Sequence, residues 1–210
     1  MNTLILIFGA VLAYLLGSIP SAVWIGKWFY GIDVREQGSG NAGATNTIRI
    51  LGLKAGLPVL FIDAFKAWLA VALGGWITGD ILTPANLTLY RIAIGALAVL
   101  GHVFPVFAGF RGGKGVAPLV GVVIALFPEA FFFVLIWFAL VFSITRYVSL
   151  ASVTSALIFP LIVIFVFKEQ SEPLLVLSIL VAVFIPVTHR RNIGRLIRGN
   201  ENKLEFKKKT

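Results

Sequence analysis

The sequence contains no cysteine, and it has only two histidines and one methionine among 210 residues. Without cysteine the chain forms no disulfide, offers no thiolate nucleophile and has no cysteine-ligated zinc. The two histidines, His102 and His189, and the nine carboxylate side chains are too few to favour a metal site built by the protein. We therefore expect neither a metal nor another cofactor.

Charge is also scarce. Charged residues make up 13% of the chain, whereas hydrophobic residues make up 59%, and the mean hydropathy is +0.96. A soluble domain of this length needs more polar side chains to cover its surface. The first apolar stretch, residues 4–28, lacks the basic start and cleavage site of a signal peptide, so it should remain as a helix. The composition predicts a polytopic membrane protein.

Seven apolar segments qualify as transmembrane helices, although the fourth and the last are short. A helix needs roughly 20 residues to cross about 30 Å of hydrocarbon. Pro128 separates the fourth segment from the fifth. The predicted fold class is an all-α integral membrane bundle of seven transmembrane helices, with a six-span count as the alternative. The predicted spans are 4–29, 56–77, 87–108, 115–128, 129–146, 148–167 and 173–188.

The distribution of lysine and arginine predicts the orientation of these spans. With seven spans and the N-terminus outside, 15 of the 18 basic residues share the face of the C-terminus, against Lys168 on the other face. This bias places the basic face in the cytoplasm, so the net charge of +9 reflects topology and does not indicate nucleic acid. We expect a membrane domain over 1–197 and a basic cytoplasmic tail over 198–210, lying near anionic headgroups or as a solvated end.

The segment 38–46 is too rich in glycine and polar residues for a mere connector. Its three glycines have the spacing of a dinucleotide fingerprint, but no strand precedes them, so that interpretation is rejected. A tight turn with a helix N-cap at Ser39 or Asn41 is the structural alternative. The small residues and exposed N–H groups favour a binding segment, with four side chains as hydrogen-bonding candidates: Ser39, Asn41, Thr45 and Asn46.

The loop Gly109-Phe110-Arg111-Gly112-Gly113-Lys114-Gly115 indicates an anion site. Glycine exposes backbone N–H groups, and a helix that starts directly after the loop adds about half a positive charge. Lys114 is followed by Gly115 rather than by Ser or Thr, which disfavours a nucleotide-binding P-loop. The alternative is a basic interfacial turn that obeys the positive-inside rule.

Several other polar residues call for an explanation. His189 and Asn192 are three residues apart and share a face of a helix, whereas the nearby Arg190, Arg191 and Arg195 could equally be stop-transfer charges. His102 is interpreted as a structural hydrogen-bonder that could hold the glycine loop, with a role as a ligand as the less favoured alternative. Asp63 and Lys66, at i and i+3 in an apolar span, are interpreted as a structural ion pair.

Three stretches of the chain resemble the three motifs of the PlsY family, the bacterial membrane-integral acyl-phosphate:glycerol-3-phosphate acyltransferases. The resemblance extends from the first predicted span to the last motif, and the motifs are long and in order. The stretches are Ser39-Gly40-Asn41-x-Gly43-Ala44-Thr45-Asn46, the segment from Gly101-His102 to Val116-Ala117, and His189-Arg190-x-Asn192-Ile193-x-Arg195.

The resemblance implies transfer of a fatty acyl group from acyl phosphate to glycerol 3-phosphate, the first acylation step of phospholipid synthesis. It implies a protein of the bacterial inner membrane, with its active site on the cytoplasmic face and no metal. We expect a monomer. The donor's phosphate would be held by Gly112, Gly113 and Gly115, together with Ser39, Asn41, Thr45 and Asn46. The positions that match the glycerol-3-phosphate site are Arg49, Lys114, Ser149, His189 and Asn192.

Acyl phosphate is already activated, and the sequence shows no strong nucleophile. A base must still remove the proton from the attacking hydroxyl. His189 is the conventional candidate. The substrate's own phosphate is the alternative, which we prefer because an arginine-rich neighbourhood suits His189 to binding phosphate. Two other functions compete with the enzyme: a transporter of a phosphorylated solute and a non-catalytic lipid-binding scaffold.

Overall fold

A computed structural model describes residues 2–78 and 81–205, and all regular structure within them is helical. The chain divides into two compact units, Met1–Ala125 and Leu126–Thr210. Short 3₁₀ turns lie at Val34–Glu36 and Val106–Ala108, and a π turn lies at Ile162–Val166. The α-helices are α1 Asn2–Gly17, α2 Ser21–Tyr30, α3 Ala44–Leu51, α4 Leu53–Thr78, α5 Pro84–Val103, α6 Val116–Leu126, α7 Pro128–Thr145, α8 Val148–Leu161, α9 Glu172–Thr188 and α10 Arg190–Ile197.

Four helical segments in the described ranges are individually long and apolar enough to cross a membrane: Leu53–Thr78, Pro84–Ala108, Pro128–Thr145 and Val148–Val166. The pairs α1–α2 and α9–α10, bent by 42° and 65°, raise the number to six if each pair is one span. The predicted span 115–128 corresponds to α6, which has 11 residues and is shorter than a bilayer crossing requires. The total of seven spans therefore stays a prediction.

The first predicted span, 4–29, is not one continuous helix. Its helical geometry is interrupted at Ser18–Pro20, and α2 leaves α1 at an angle of 42°. Pro20 has no N–H to continue the hydrogen-bond ladder, and its ring disfavours helical geometry in the residue before it. The prediction of an unbroken helix is wrong because it gave no weight to this proline.

In the first unit, α1, α4 and α5 pack on one another, and α3 packs on α4. Glycine allows the closest approaches. A Cβ on Gly17 would collide with the carbonyl of Ala98, and one on Gly101 would collide with the carbonyl of Tyr14. Small residues have the same effect wherever apolar helices pack in lipid. This packing fixes the end of α5, from which the glycine loop continues.

In the second unit, α8 packs against both α7 and α9. Phe127 and Phe159 meet edge to face, with ring centroids 5.1 Å apart, and Phe159 is fully buried. Ala130 is the buried residue of α7, and the large apolar side chains along the rest of this helix are half-buried or exposed. Such an exposed apolar helix is expected where lipid replaces water as the solvent.

The chain beyond α10 folds back onto this unit. Leu204 is buried, its N–H donates to the carbonyl of Arg146 at 2.9 Å, and the Lys203 ammonium lies 5.5 Å from the centre of the Tyr147 ring. Residues 201–204 are therefore not a solvated end. The tail lysines Lys207, Lys208 and Lys209 lie outside the described residues, so the proposed contact with headgroups stays a prediction.

Candidate active site

The segment 38–46 is held together by the side chain of Asn46, which is buried. Its Oδ1 accepts the N–H of Ser39 at 2.8 Å, and its amide donates to the carbonyls of Val34 at 2.7 Å and Gln37 at 3.1 Å. Gly43 is the N-cap of α3, so the alternative of an N-cap at Ser39 or Asn41 is wrong. Ser39 is exposed, and Asn41 and Thr45 are half-buried.

Arg35 links this segment to the glycine loop. Its guanidinium donates to both carboxylate oxygens of Asp33 and, at 2.7 Å, to the carbonyl of Ala108. The side-chain hydrogen bond from Arg35 holds the pKa of Asp33 far below its ordinary range. Neither residue was singled out from the sequence, although Asp33 and Arg35 are close enough along the chain to suggest a local ion pair.

Gly112 and Gly113 are required by packing. The N–H of Gly112 donates to the carbonyl of Val103 at 3.2 Å, and that of Gly113 donates to the carbonyl of His102 at 3.1 Å. A Cβ on either residue would collide with His102. The sequence interpretation gave these N–H groups to an anion, whereas the structure pairs them within the protein.

Lys114 and Gly115 lead directly into α6. Gly115 has φ of +85°, a conformation that favours glycine, and Lys114 is half-buried beside it. The first N–H groups of a helix have no acceptor within the helix, and its dipole makes that end positive. A cation and a helix N-terminus therefore adjoin here, in the arrangement that binds phosphate in many proteins.

The glycine loop rests on a buried polar cluster. Lys66 Nζ lies 2.7 Å from Asp63 Oδ1 and 3.2 Å from His102 Nδ1, and Ser21 Oγ donates to Asp63 Oδ1 at 2.7 Å. All four residues are buried. The predicted ion pair between Asp63 and Lys66 is confirmed. His102 contacts the loop through its carbonyl, which accepts the N–H of Gly113, and through its ring, which lies against Gly113.

In the second unit, two residues predicted for the site donate to the carboxylate of Glu201. The sequence analysis did not single out Glu201. Ser149 Oγ donates to Glu201 Oε1 at 2.9 Å, and Asn192 Nδ2 donates to the same oxygen at 2.6 Å. Arg195 Nε donates to the other oxygen of Glu201 at 2.6 Å. Burial disfavours ionisation of Glu201, but these hydrogen bonds outweigh it and hold its pKa below the ordinary value.

His189 lies at the bend between α9 and α10 and is buried. Its Nδ1 lies 2.9 Å from the carbonyl of Ile185, so Nδ1 carries a proton in order to donate there. In the neutral ring Nε2 is then the basic nitrogen. Within residues 2–78 and 81–205, no three His, Asp or Glu side chains are grouped closely enough to hold a metal ion.

Each unit thus assembles part of the predicted site. In the first unit the glycine loop adjoins the segment 38–46, since a Cβ on Gly113 would lie 3.1 Å from the carbonyl of Ala42. Arg49 lies in the last turn of α3, which follows that segment. In the second unit Ser149 and Asn192 share the carboxylate of Glu201.

A family model described as "Glycerol-3-phosphate acyltransferase" matches residues 7–199. The chain belongs to this family. A glycerol-3-phosphate acyltransferase of Fusobacterium nucleatum is 45% identical over 197 residues, which cover 93% of this chain and 96% of the relative. One of Chlorobaculum tepidum is 42% identical over 223 residues, which cover 95% of this chain and 96% of the relative.

Solved structures show the same fold. The crystal structure of PlsY (YgiH), an integral membrane glycerol 3-phosphate acyltransferase in its glycerol 3-phosphate form, is 38% identical, with a TM-score of 0.85. The similarity covers 95% of this chain and 96% of the solved one. A second form of PlsY, with lysophosphatidic acid, is 36% identical with a TM-score of 0.81 and covers 96% of both chains. This acyltransferase is therefore an all-helical integral membrane protein.

Proposed function

We propose that this chain transfers a fatty acyl group from acyl phosphate to glycerol 3-phosphate and releases 1-acylglycerol 3-phosphate and inorganic phosphate. Membership of the family supports this function, as does the likeness to PlsY in forms named for glycerol 3-phosphate and lysophosphatidic acid. The observation in this chain that carries the proposal is the junction of Lys114 with the N-terminus of α6. It provides a phosphate site that continues directly into an apolar helix.

Acyl phosphate is already activated, so the protein needs no strong nucleophile. It needs to position the two substrates and to neutralise their phosphate charges. A hydroxyl oxygen of glycerol 3-phosphate attacks the acyl carbon, the bond from that carbon to the phosphate oxygen breaks, and the hydroxyl proton must leave. We propose that the phosphate of glycerol 3-phosphate accepts that proton and that His189 holds this phosphate in position. Lys114 and backbone N–H groups at the start of α6 would stabilise the oxyanion and the departing phosphate.

Arg49 and Lys114 are assigned to phosphate, because planar guanidinium and ammonium groups form strong charge-assisted hydrogen bonds with it. The segment carrying Ser39, Asn41 and Thr45 is assigned to the acyl donor. The side chain of Asn46 is already bonded to that segment's backbone, so its role is to shape the segment.

Ser149 and Asn192 are assigned to the hydroxyl groups of glycerol 3-phosphate. Both side chains donate to Glu201, and the hydroxyl oxygen of Ser149 can also accept a hydrogen bond. A phosphate charge about 5 Å from the ionised Glu201 would be repelled by roughly 3 kcal/mol at an effective dielectric constant of about 20. A hydroxyl group, which can donate, avoids that repulsion.

The membrane topology is part of the proposal. The concentration of lysine and arginine in alternate loops supports seven spans, an external N-terminus and an active site on the cytoplasmic face of the bacterial inner membrane. A monomer is also part of the proposal.

A phosphate-release assay tests the function. Purified protein receives acyl phosphate and glycerol 3-phosphate, and we expect inorganic phosphate to appear only when both are present. Replacing acyl phosphate with acyl-CoA should abolish the reaction. No release, or equal activity with acyl-CoA, contradicts the proposal.

The transporter alternative requires ionisable groups along a path through the membrane. Asp63 and Lys66 are instead bonded to each other, to Ser21 and to the carbonyl of Ile19. Liposomes loaded with glycerol 3-phosphate decide between the two functions. Solute flux without acyl transfer would establish the transporter.

A further inference from the structure

The short helix α10 of the second unit has two different faces. On one face Asn192 is buried, and it donates together with Arg195 to the carboxylate of Glu201. These bonds hold that face against the rest of the unit. The residues of the other face are exposed: Arg190, Arg191, Ile197 and Arg198, which directly follows the helix. We call these four residues the arginine stripe.

The spacing of the arginine stripe places its members side by side. Residues seven apart lie on the same side of an α-helix, which pairs Arg190 with Ile197 and Arg191 with Arg198. Gly194 lies between the two pairs and has no side chain to separate them. Three guanidinium groups and one apolar side chain therefore share a continuous exposed surface.

The positive charge of the stripe is not balanced by a neighbouring acid. The helix α10 contains no Asp or Glu. Among the residues that the structure describes, Arg195 forms an ion pair with Glu201, whereas the three arginines of the stripe form none. The stripe is therefore suited to a partner that carries negative charge.

The arginine stripe continues an apolar surface of α9. Large apolar side chains on one side of α9 are exposed: Val176, Ile179, Leu180, Val183 and Val187. In an integral membrane protein, such a surface contacts acyl chains. Arg190 and Arg191 come three and four residues after Val187, and so lie on the same side of the chain. They follow directly where the apolar surface ends, at the depth at which headgroups begin.

The bend between the two helices brings the stripe towards the membrane surface. The helix α10 leaves α9 at an angle of 65°. If α9 stands close to the membrane normal, α10 lies nearer to the membrane plane than to the normal. Ile197 is 81% exposed among the arginines of the stripe. Basic residues beside an exposed apolar side chain are typical of helices that lie in the interface of a bilayer.

We propose that the arginine stripe binds the headgroups of anionic phospholipids in the bilayer, while Ile197 contacts their acyl chains. Guanidinium groups bind phosphate through paired hydrogen bonds. Each basic residue near a negatively charged leaflet strengthens the attraction about fivefold. A stop-transfer signal acts during membrane insertion, whereas this contact persists in the folded protein. The proposal rests on the proposed topology, in which α9 ends at the cytoplasmic face, and does not require acyl transfer.

Fluorescence quenching in vesicles tests the contact. The chain has no cysteine, so Ile197→Cys gives a single site for an apolar fluorophore. Brominated lipids quench a fluorophore that they touch. In phosphatidylcholine vesicles, brominated phosphatidylglycerol should bind beside the label about tenfold to a hundredfold more strongly than brominated phosphatidylcholine does. In 1 M salt, where the Debye length is about 3 Å, most of this preference should disappear.

Variants of the labelled protein separate charge from other causes. Replacing the three arginines of the stripe with glutamine should make the two lipids quench equally, whereas replacing them with lysine should keep the preference. Lys54→Gln, which removes an exposed basic residue of the first unit, is the control and should change nothing. If the glutamine variant does not fold, the lysine variant and the salt dependence still test the contact.

Three results would overturn the proposal. Equal quenching by the two lipids in the labelled protein would show that the stripe does not select anionic lipid. An unchanged preference in the glutamine variant would show that the arginines do not cause it. Quenching by neither lipid would show that the stripe faces water or an acidic protein instead. If wild-type protein transfers no acyl group, the proposed function fails, whereas the quenching result stands.

Discussion

A carboxylate lies at the centre of a buried hydrogen-bonded cluster in each of the two units, but the clusters are built differently. Asp63 is on the same helix as its partner Lys66, inside a span. Glu201 comes from the chain beyond α10 and receives hydrogen bonds from α8 and α10. The first cluster supports the glycine loop through the carbonyl of His102, whereas the second uses donors of the proposed substrate-binding side chains.

The two units are assigned different chemistry. In the first unit, the cation of Lys114 beside the start of α6 suits phosphate, which accepts hydrogen bonds and is negative. In the second unit, the Ser149 hydroxyl oxygen suits a hydroxyl group of the substrate, which can donate to it. Substitutions in one unit at a time test this assignment.

Lys114→Ala should have the largest effect. Removing the cation next to the N-terminus of α6 leaves the phosphate charge uncompensated, and we expect kcat/KM to fall by about a thousandfold or more. Thermal stability should be nearly unchanged because Lys114 is only half-buried. Lys54→Ala, at an exposed position, is the control; equal losses in the two variants would contradict a specific role for Lys114.

His189→Gln distinguishes the two candidate bases. If the phosphate of glycerol 3-phosphate takes the proton, kcat should fall by roughly a hundredfold or less, and the acidic limb of the kcat–pH profile should persist. General-base catalysis by a side chain contributes about 10²–10⁴-fold. A loss above about a thousandfold together with a missing acidic limb would identify His189 as the base and reverse our assignment.

Ser149→Ala tests whether the second cluster contacts hydroxyl groups. We expect KM for glycerol 3-phosphate to rise about tenfold, the effect of one hydrogen bond, while KM for 1,3-propanediol phosphate, which lacks the central hydroxyl, stays the same. Ser152→Ala, one turn along the same helix, is the control because the Ser152 hydroxyl donates to the carbonyl of Val148 in its own helix. Equal increases for both acceptors would show that Ser149 contacts a group that both carry, and would contradict a contact with the central hydroxyl.

Glu201→Ala should destabilise the protein more than it changes the chemistry of the first unit. Three donors lose their acceptor, and we expect the free energy of unfolding to fall by about 1–3 kcal/mol, measured as a lower Tm. Glu205→Ala removes an exposed carboxylate from the same tail and should leave Tm unchanged. An unchanged Tm in Glu201→Ala would show that the tail does not hold the second unit together.

Lowering the pH should have the smallest effect, which is measured as a change in Tm. The pKa values of Glu201 and Asp33 are lowered in the folded protein, so their ionised forms stabilise it above the ordinary carboxyl pKa of about 4. That stability is lost as the pH falls from about 4 through the folded pKa values. Tm measured against pH in Glu201→Gln should show a shallower acid decline than wild type, and an identical decline would contradict the role of Glu201.

The two clusters also show how far the sequence could predict the site. Asp63 and Lys66 are at i and i+3 on one helix, so their pairing follows from helical geometry alone. Glu201 is 52 residues from Ser149 along the chain, and no local pattern places them together. The sequence analysis interpreted the tail from its lysines. It therefore missed Glu201, the carboxylate that folds back onto the unit.

The glycine loop shows a similar limit. The sequence indicated an anion-binding loop in which glycine exposes backbone N–H groups, and Gly115 has a φ of +85° in the structure. It could not indicate that Gly112 and Gly113 are small because the chain around His102 lies directly against them. Such a contact depends on how α5 ends and how the loop returns, and both are properties of the folded chain.

The central claim is acyl transfer from acyl phosphate to glycerol 3-phosphate. Phosphorus NMR of the purified protein in vesicles follows both substrates and both products in one sample. The account predicts that acyl phosphate and glycerol 3-phosphate disappear in equal amounts while inorganic phosphate and 1-acylglycerol 3-phosphate appear in the same amounts. Phosphate released without acylated glycerol phosphate, or no change in any signal, would contradict it.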